Sequence, residues 1–319
     1  MKLTISTASH RGRVRQKNED NFYANGLSLP QQNDGLAPQS MLCSSAKARL
    51  FGVFDGMGGY AAGERASFLA VQAASELVEA NIETAAAPEL LLDICKLANE
   101  RVCEEMLNGV HDRIGTTASM LHFYHDTYTV CNVGDSPIFL LRNGELLQLH
   151  EEHTERANYE RISGKPAPPN KKFRLTQNIG IFTDEMLIEP YCASDKMQDG
   201  DQFLICSDGL TDMVSAQTIC EVLAGTQNVQ EKVDTLLHLA LENGGKDNIT
   251  IVLLSARTAP PRKAKKRKFP TLAVLIATVV LLAAIAVGVF LGIRAAREPA
   301  PTEPTQTTES QSTEPSVNI

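Results

Sequence analysis

Leu50 to Ser67 reads LFGVFDGMGGYAAGERAS. The stretch opens as a short apolar run of strand character, closes on Asp55, turns through Gly56, Gly58 and Gly59, and enters a helical block over Ala61 to Ala80. A carboxylate at the end of an apolar strand recurs three more times. Asn18-Glu19-Asp20-Asn21 opens FYANG, Asp208 closes FLICS, and Asp247 opens NITIVLL. Carboxylates at strand ends can be gathered along one sheet edge, where hard divalent cations find the oxygen ligands they prefer. Asp-Gly is also a common tight-turn dipeptide, and both Asp55-Gly56 and Asp208-Gly209 fit that use. The pattern by itself leaves turn chemistry and cation binding open.

Working outward, residues 1–258 mix strand and helix patterns. Strand-like runs are KLTIS (2–6), DNFYANG (20–26), ARLFGVFD (48–55), TTASMLHFY (116–124), TYTVCNVGD (127–135), PIFLLRNG (137–144), QFLICSD (202–208) and NITIVLLSA (248–256). Thr127 to Leu149 reads as a three-run meander broken at GDSP and RNGE. Helical spacing of three and four is clear in Pro88 to Leu107, through Leu91, Ile94, Cys95, Leu97, Ala98, Val102 and Met106. Shorter helices are expected at Glu151–Ile162, Ser215–Ala224 and Val229–Asn243, and the polar stretch Leu27–Arg49 reads as a long hairpin loop or insertion. Strands, then a helix pair, then more strands, without regular βαβ alternation, predict an α+β layered fold.

Hydrophobic residues make up 43% of the 319, enough for a sizeable core. The net charge of −8 hides an asymmetry: 34 of the 38 acidic residues but only 22 of the 30 basic ones precede Arg262, so that part carries about −12. An acidic surface argues against nucleic acid as a partner. The seven cysteines are odd in number and show no CxxC spacing, which predicts reduced, mostly buried thiols.

Phe269 to Ile293 is a run of 25 residues without a charge, longer than the roughly 20 that span a bilayer. Six basic residues precede it in RKAKKRK (262–268); only Arg294 and Arg297 follow it before an acidic tail. The positive-inside bias predicts a single span with residues 1–258 cytoplasmic, a polybasic linker at 259–268, a transmembrane helix at 269–293 and a disordered extracytoplasmic tail at 294–319. The linker faces the lipid bilayer, as a topology signal or as a contact for anionic headgroups. MKLTISTASHRGR at the N-terminus has no apolar core and is not a secretory signal.

DGMGG at 55–59, with FGVF before it and GERAS after it, resembles the signature of the metal-dependent serine/threonine protein phosphatases of type 2C. RQKNEDN (15–21), GTTAS (115–119), VGDS (133–136), RLTQNIG (174–180), SDGLTD (207–212) and GGKDNIT (244–250) follow in that family's order. The resemblance covers about residues 3–256. It implies a central antiparallel β-sandwich flanked by helix pairs, with a metal site for two or three Mn²⁺ or Mg²⁺ ions at one end. It implies hydrolysis of phosphoserine and phosphothreonine by a hydroxide bridging two metals. In it Asp55 bridges both ions and Gly56 offers a carbonyl. Asp208 and Asp247 complete the first metal's ligands, while Glu19 and Asp20 fall where the second is held, with the direct ligand left open between them. Asp135 joins Asp208 at a third, weaker ion, Arg15 grips the substrate phosphate, and Asn248 supports the ligands. The implied partners are phosphoproteins and, by analogy with bacterial members, a serine/threonine kinase whose action the enzyme opposes. Intact Asp55, Asp208 and Asp247 argue against a catalytically dead scaffold.

Three motifs depart from the family without losing a ligand. Met57 stands where many eukaryotic members carry a histidine, Pro137 where arginine is usual, and Gln177-Asn178 where Arg-Ala is usual. The region Gly164–Phe173 falls at the family's variable flap; its Lys171 and Lys172, with Arg174 just beyond, read as a solvated charged loop. His153-Thr154 reads as a helix cap. Ser207 lacks the GxSxG context of a nucleophile.

Overall fold

A computed structural model describes residues 2–43, 49–58, 62–80, 87–109, 113–168, 173–257 and 287. The chain divides into two units, Met1–Ala259 and Pro260–Ile319. The expected polybasic linker lies outside the described residues, as do the membrane span apart from Val287, the tail, Lys171 and Lys172. Among the described residues no helix is long and apolar enough to cross a membrane.

In chain order the first unit contains β1 (Lys2–His10), β2 (Asn21–Ala24), β3 (Gly35–Cys43), β4 (Arg49–Phe54), β5 (Gly56–Met57), α1 (Gly63–Ala80), α2 (Ala87–Leu107) and β6 (Gly115–Thr116). There follow β7 (Ala118–Tyr124), β8 (Thr127–Val133), β9 (Ile138–Arg142), β10 (Glu145–Gln148), α3 (Glu155–Ser163), β11 (Tyr191–Lys196), β12 (Gln202–Cys206), α4 (Asp208–Thr211), α5 (Ala216–Ala224), α6 (Val229–Glu242) and β13 (Ile249–Arg257). One sheet runs β10-β9-β12-β13-β1-β3 and the other β11-β8-β7-β4-β2, with β5 and β6 forming a small separate ladder. Every pairing within them is antiparallel.

The order of burial explains the sequence pattern. Phe51 and Val53 of β4, Phe203 and Ile205 of β12, and Val252 and Leu254 of β13 meet between the sheets. Their alternates, Leu50 and Phe54, Leu204 and Cys206, and Ile251 and Leu253, pack outward under helices. Both faces of these strands are dry, so ITIVLL reads as one continuous apolar run although its neighbours are antiparallel. Helices α1 and α2 cover the five-stranded sheet; α5 and α6 cover the six-stranded one. An edge-to-face chain of rings, Phe51–Phe123 at 5.8 Å, Phe123–Phe203 at 5.2 Å and Tyr128–Phe203 at 4.8 Å, ties the two sheets together.

The α+β sandwich with flanking helix pairs is the architecture expected, and the five expected helices are all present within a few residues. Two expectations need correction. Leu27–Arg49 is not simply a loop: it contributes β3, an edge strand on β1, with the register shift between Thr7 and Ser9. Pro38 sits opposite that shift, where no ladder donor is required. Thr127–Leu149 is not one meander. β8 lies in the five-stranded sheet, while β9 and β10 form a hairpin in the other, so GDSP is a crossing between sheets. β11, an exposed edge strand reading YCASDK, carries no apolar alternation and was not foreseen.

Candidate metal and phosphate site

The sandwich delivers its acid-bearing loops to one end. The β4 strand stops at Asp55, whose amide donates to Thr117 Oγ1 at 3.0 Å while its carbonyl accepts from Thr117 N–H at 2.9 Å. The next residue must be glycine: a Cβ on Gly56 would lie 2.3 Å from the carbonyl oxygens of both Glu19 and Gly63. β12 ends one residue before Ser207, and Asp208 opens the single turn α4. Gly209 is equally constrained, with a Cβ falling 2.0 Å from the Asn248 carbonyl oxygen. That close approach sets Asp208 beside Asp247 at the mouth of β13.

Asn248 organises the remaining loop. Its Oδ1 accepts from the Glu19 amide at 2.8 Å, and its Nδ2 donates to the carbonyls of Arg11 and Lys17, each at 2.9 Å. Residues 11–19 are thereby pinned to the start of β13. Arg15 Nη2 donates to Asp247 Oδ2 at 2.6 Å. Ser207 Oγ donates to Asp20 Oδ2 at 2.7 Å and accepts from the Thr250 amide at 2.9 Å.

The result is a cavity of about 340 Å³. Glu19, Asp55, Asp135, Asp208 and Asp247 face it together with Arg15, and Gly56, Met57, Gly58, Thr117 and Leu175 complete its wall. The structure thus brings together seven of the eight residues expected at the site. Asp20 is the exception: it lies beneath the cavity, 1% exposed, with one carboxylate oxygen on Ser207 and Oδ1 without a hydrogen-bond partner among the described residues. Of the pair left open by the sequence, Glu19 faces the cavity and Asp20 underlies it.

Burial and crowding both act on these acids. Burial, then repulsion by Asp135 and Asp247, raises the Asp208 carboxyl to about 8. Burial, then Glu152, raises Asp135 to about 6, and Asp20, also chiefly through burial, is raised to about 6. Asp55 stands well above the ordinary carboxylate range, through burial and repulsion by Asp20 and Asp208. Like charges in a dry pocket disfavour ionisation, and a bound cation reverses that preference. Among the described residues no three acids already stand close enough to form a finished cage. The donor set still suits a hard divalent ion: it is carboxylate and carbonyl oxygen, with no thiol or imidazole in the wall and one acid oxygen left without a donor.

Sequence reasoning did not assign Thr117 or Ser207. Thr117 fastens Asp55 and shares its hydroxyl with Ser136 Oγ at 2.7 Å; GTTAS marked its position but not that use. Thr154 caps α3 as expected, accepting from Ala157 N–H at 3.0 Å. Gln177 and Asn178 bind backbone near the cavity: Gln177 Oε1 accepts from the Glu189 amide at 3.1 Å, and Asn178 Nδ2 donates to Ile179 O at 2.8 Å.

Comparison with known proteins agrees with this geometry. A family model described as Protein phosphatase 2C matches residues 12–249. The serine/threonine protein phosphatase PstP of Mycobacterium tuberculosis is 32% identical over 258 residues, covering 79% of this chain. The match spans 44% of that relative's length, so the chain corresponds to less than half of it. The serine/threonine phosphatase stp of Listeria monocytogenes is 31% identical over 252 residues, covering 76% of this chain and 92% of the relative. A crystal structure of the PstP catalytic domain in complex with two manganese ions superposes with a TM-score of 0.64 at 29% identity, over 80% of this chain and all of that one.

Proposed function

Because the chain belongs to the protein phosphatase 2C family, we propose that it is a metal-dependent protein phosphatase acting on phosphoserine and phosphothreonine. The observation that carries the reading is the convergence of five acids and Arg15 on one cavity. Manganese fits this oxygen donor set and is the metal bound by a PstP catalytic domain. Glu19, Asp55, Asp135, Asp208, Asp247 and the Gly56 carbonyl would hold Mn²⁺ or Mg²⁺, with Asp20 supporting from beneath. Such ions supply neutralisation of the phosphate dianion and a hydroxide near neutral pH.

The chain's own residues do the rest. Arg15 offers a planar guanidinium at the cavity mouth, half exposed, suited to two oxygens of a phosphoryl group. Its ion pair with Asp247 holds it ready on the Asp247 side of the cavity. Asn248 fixes the spacing between Arg15 and the acids by clamping residues 11–19. Thr117 keeps Asp55 from turning away. Met57 in the wall carries no proton, so protonation of the leaving alkoxide falls to solvent.

The reading extends to setting. Residues 269–293 form a single span, the polybasic run 262–268 lies at the cytoplasmic face of the cell membrane, and the catalytic unit works in the cytoplasm. The uncharged length and the flanking charges support this. The partners are phosphoproteins, and a serine/threonine kinase is the source of the phosphate removed.

Release of phosphate from a phosphothreonine peptide by the full chain, with and without Mn²⁺, tests the activity. Asp208→Asn should lower the metal-dependent rate by about 10³-fold or more, the scale of several kcal/mol of charge stabilisation. A metal-loaded, folded protein that releases no phosphate would end the phosphatase reading.

A further inference from the structure

Three of the cysteines form a row that leads from the surface into the core. Cys192 lies on β11, an edge strand of the five-stranded sheet, and is half-buried; Cys131 on β8 and Cys95 on α2 are fully buried. β8 and β11 run antiparallel with Cys131 directly opposite Cys192. Both side chains join the same cluster, the one packed under α1 and α2. There Cys131 Sγ stands 3.8 Å from Cys95 Sγ. The other half-buried thiols among the described residues face a carbonyl instead of a second sulfur: Cys103 Sγ donates to Ile181 O at 3.4 Å and Cys220 Sγ to Gly144 O at 3.6 Å.

Directly opposite residues of an antiparallel pair have Cα atoms about 4.5 or 5.5 Å apart, according to whether the pair exchanges backbone hydrogen bonds. Either spacing falls within the roughly 4.4–6.8 Å that a disulfide bridges. The two strands therefore already stand within reach of a cross-link, without giving up their pairing.

The two thiols are also unequal. The hydrogen bond from Cys131 holds the Cys192 thiol below the ordinary thiol range. Cys131 is pushed well above that range by donating to Cys192, by the Cys95 sulfur and then by burial. The thiolate is the nucleophilic form. Cys192 thus combines the more acidic thiol with the position nearer solvent.

We propose that Cys192 and Cys131 form a site of reversible oxidation by hydrogen peroxide, with Cys192 as the attacking thiol and Cys131 as the resolving one. The Cys192 thiolate attacks one peroxide oxygen. An S–O bond forms, the O–O bond breaks, and the departing hydroxide takes up the proton that Cys192 lost, giving water and a sulfenic acid. The Cys131 sulfur then attacks the Cys192 sulfur. The S–S bond forms, the S–O bond breaks, and hydroxide leaves with the Cys131 proton as a second water. The two thiols give up two electrons, the peroxide accepts them, and a dithiol reductant reverses the change. The disulfide would fasten the exposed edge strand β11 to β8, its neighbour in the sheet. The site needs neither metal nor substrate, so it stands apart from the phosphatase reading.

The test treats the reduced full chain with a small excess of hydrogen peroxide, blocks the remaining thiols by alkylation and maps the digest by mass spectrometry. Cys192 should be the first thiol lost to alkylation, with its peptide joined to that of Cys131, and dithiothreitol should restore both. In Cys131→Ala the oxidation should stall at the sulfenic acid, read as a dimedone adduct on Cys192. In Cys192→Ser, Cys131 and Cys95 should stay reduced at the same dose. Loss of Cys103 or Cys220 ahead of Cys192, or a Cys95–Cys131 link that forms equally well in Cys192→Ser, would overturn the site. If either variant misfolds, the unaltered protein decides alone: no Cys131–Cys192 link at a dose that consumes other thiols overturns it.

Discussion

The strands that build the core between the sheets also end in the acids of the cleft, and the two ends of each strand are under opposite demands. β4 puts Phe51 and Val53 between the sheets and stops at Asp55; β12 puts Phe203 and Ile205 there and leads to Asp208; β13 starts beside Asp247 and then buries Val252 and Leu254. In the middle, burial matches the side chain to its surroundings and stabilises the fold. At the rim, burial crowds carboxyl groups whose ionised forms repel. One short strand therefore carries a stabilising segment and a destabilising one a few residues apart. Stability spent at the rim is recovered in the ring stack, a division common at functional sites.

The comparison breaks most visibly in the middle. Phe203→Ala should cost about 3–5 kcal/mol of folding stability, measured by chemical denaturation, because Phe203 meets two other rings and is fully buried. Phosphate release per folded molecule should change little. Asn248→Ala attacks the join between the two ends. It strips one amide and two carbonyls of their partner, should cost roughly 2–4 kcal/mol, and should lower kcat/KM as Arg15 and Glu19 lose register with Asp247.

At the rim itself the sign should reverse. At pH above about 8, where the metal-free Asp208 carboxyl is ionised, Asp208→Asn removes one of the repelling charges and should raise the melting temperature by a few degrees while hydrolysis is lost; calorimetry in chelator reads it. A fall in melting temperature there would remove the contrast. Titration sharpens the same point. The folded Asp208 carboxyl, at about 8, lies above its unfolded value, so its contribution to stability is complete at pH below about 4 and is lost as pH rises towards 8. Over that window metal-free protein should melt progressively lower at higher pH, and Mn²⁺ should restore most at the alkaline end. The smallest effect belongs to a hydroxyl that bonds only its own helix's backbone among the described residues, although the backbone there bridges Leu175 of the cavity wall. Thr154→Ala removes the cap of α3 and should cost about 1 kcal/mol with hydrolysis unchanged.

Much of this was legible along the chain because the informative residues announce themselves locally. An apolar run that ends in Asp-Gly marks a strand end and a turn, as at Asp55 and Asp208, and the resemblance to the type 2C phosphatases singled these two out together with Asp247 as candidate ligands. β3 escaped because Pro38 and a register shift spoil its alternation, and an edge strand with one neighbour tolerates that. β11 escaped because YCASDK is half exposed and its order comes from pairing with β8. The choice between Glu19 and Asp20 needed depth, since adjacent residues on a loop differ only in which way they face. The row of thiols was invisible for a different reason: Cys95, Cys131 and Cys192 share no motif, and only the fold sets them side by side.

The first strand, β1, pairs along nine residues with the last, β13, from Lys2 opposite Arg257 to His10 opposite Ile249. Nearly the whole catalytic unit is threaded between those two partners, and such distant pairings are the slow ones to form. A chain still being synthesised cannot close this ladder until its last strand arrives, and Asp247 and Asn248 arrive immediately before it. The clamp on residues 11–19 forms in that same act. Completion of the sandwich and assembly of the site are one event in folding, so an unfinished chain holds neither a metal nor a phosphate.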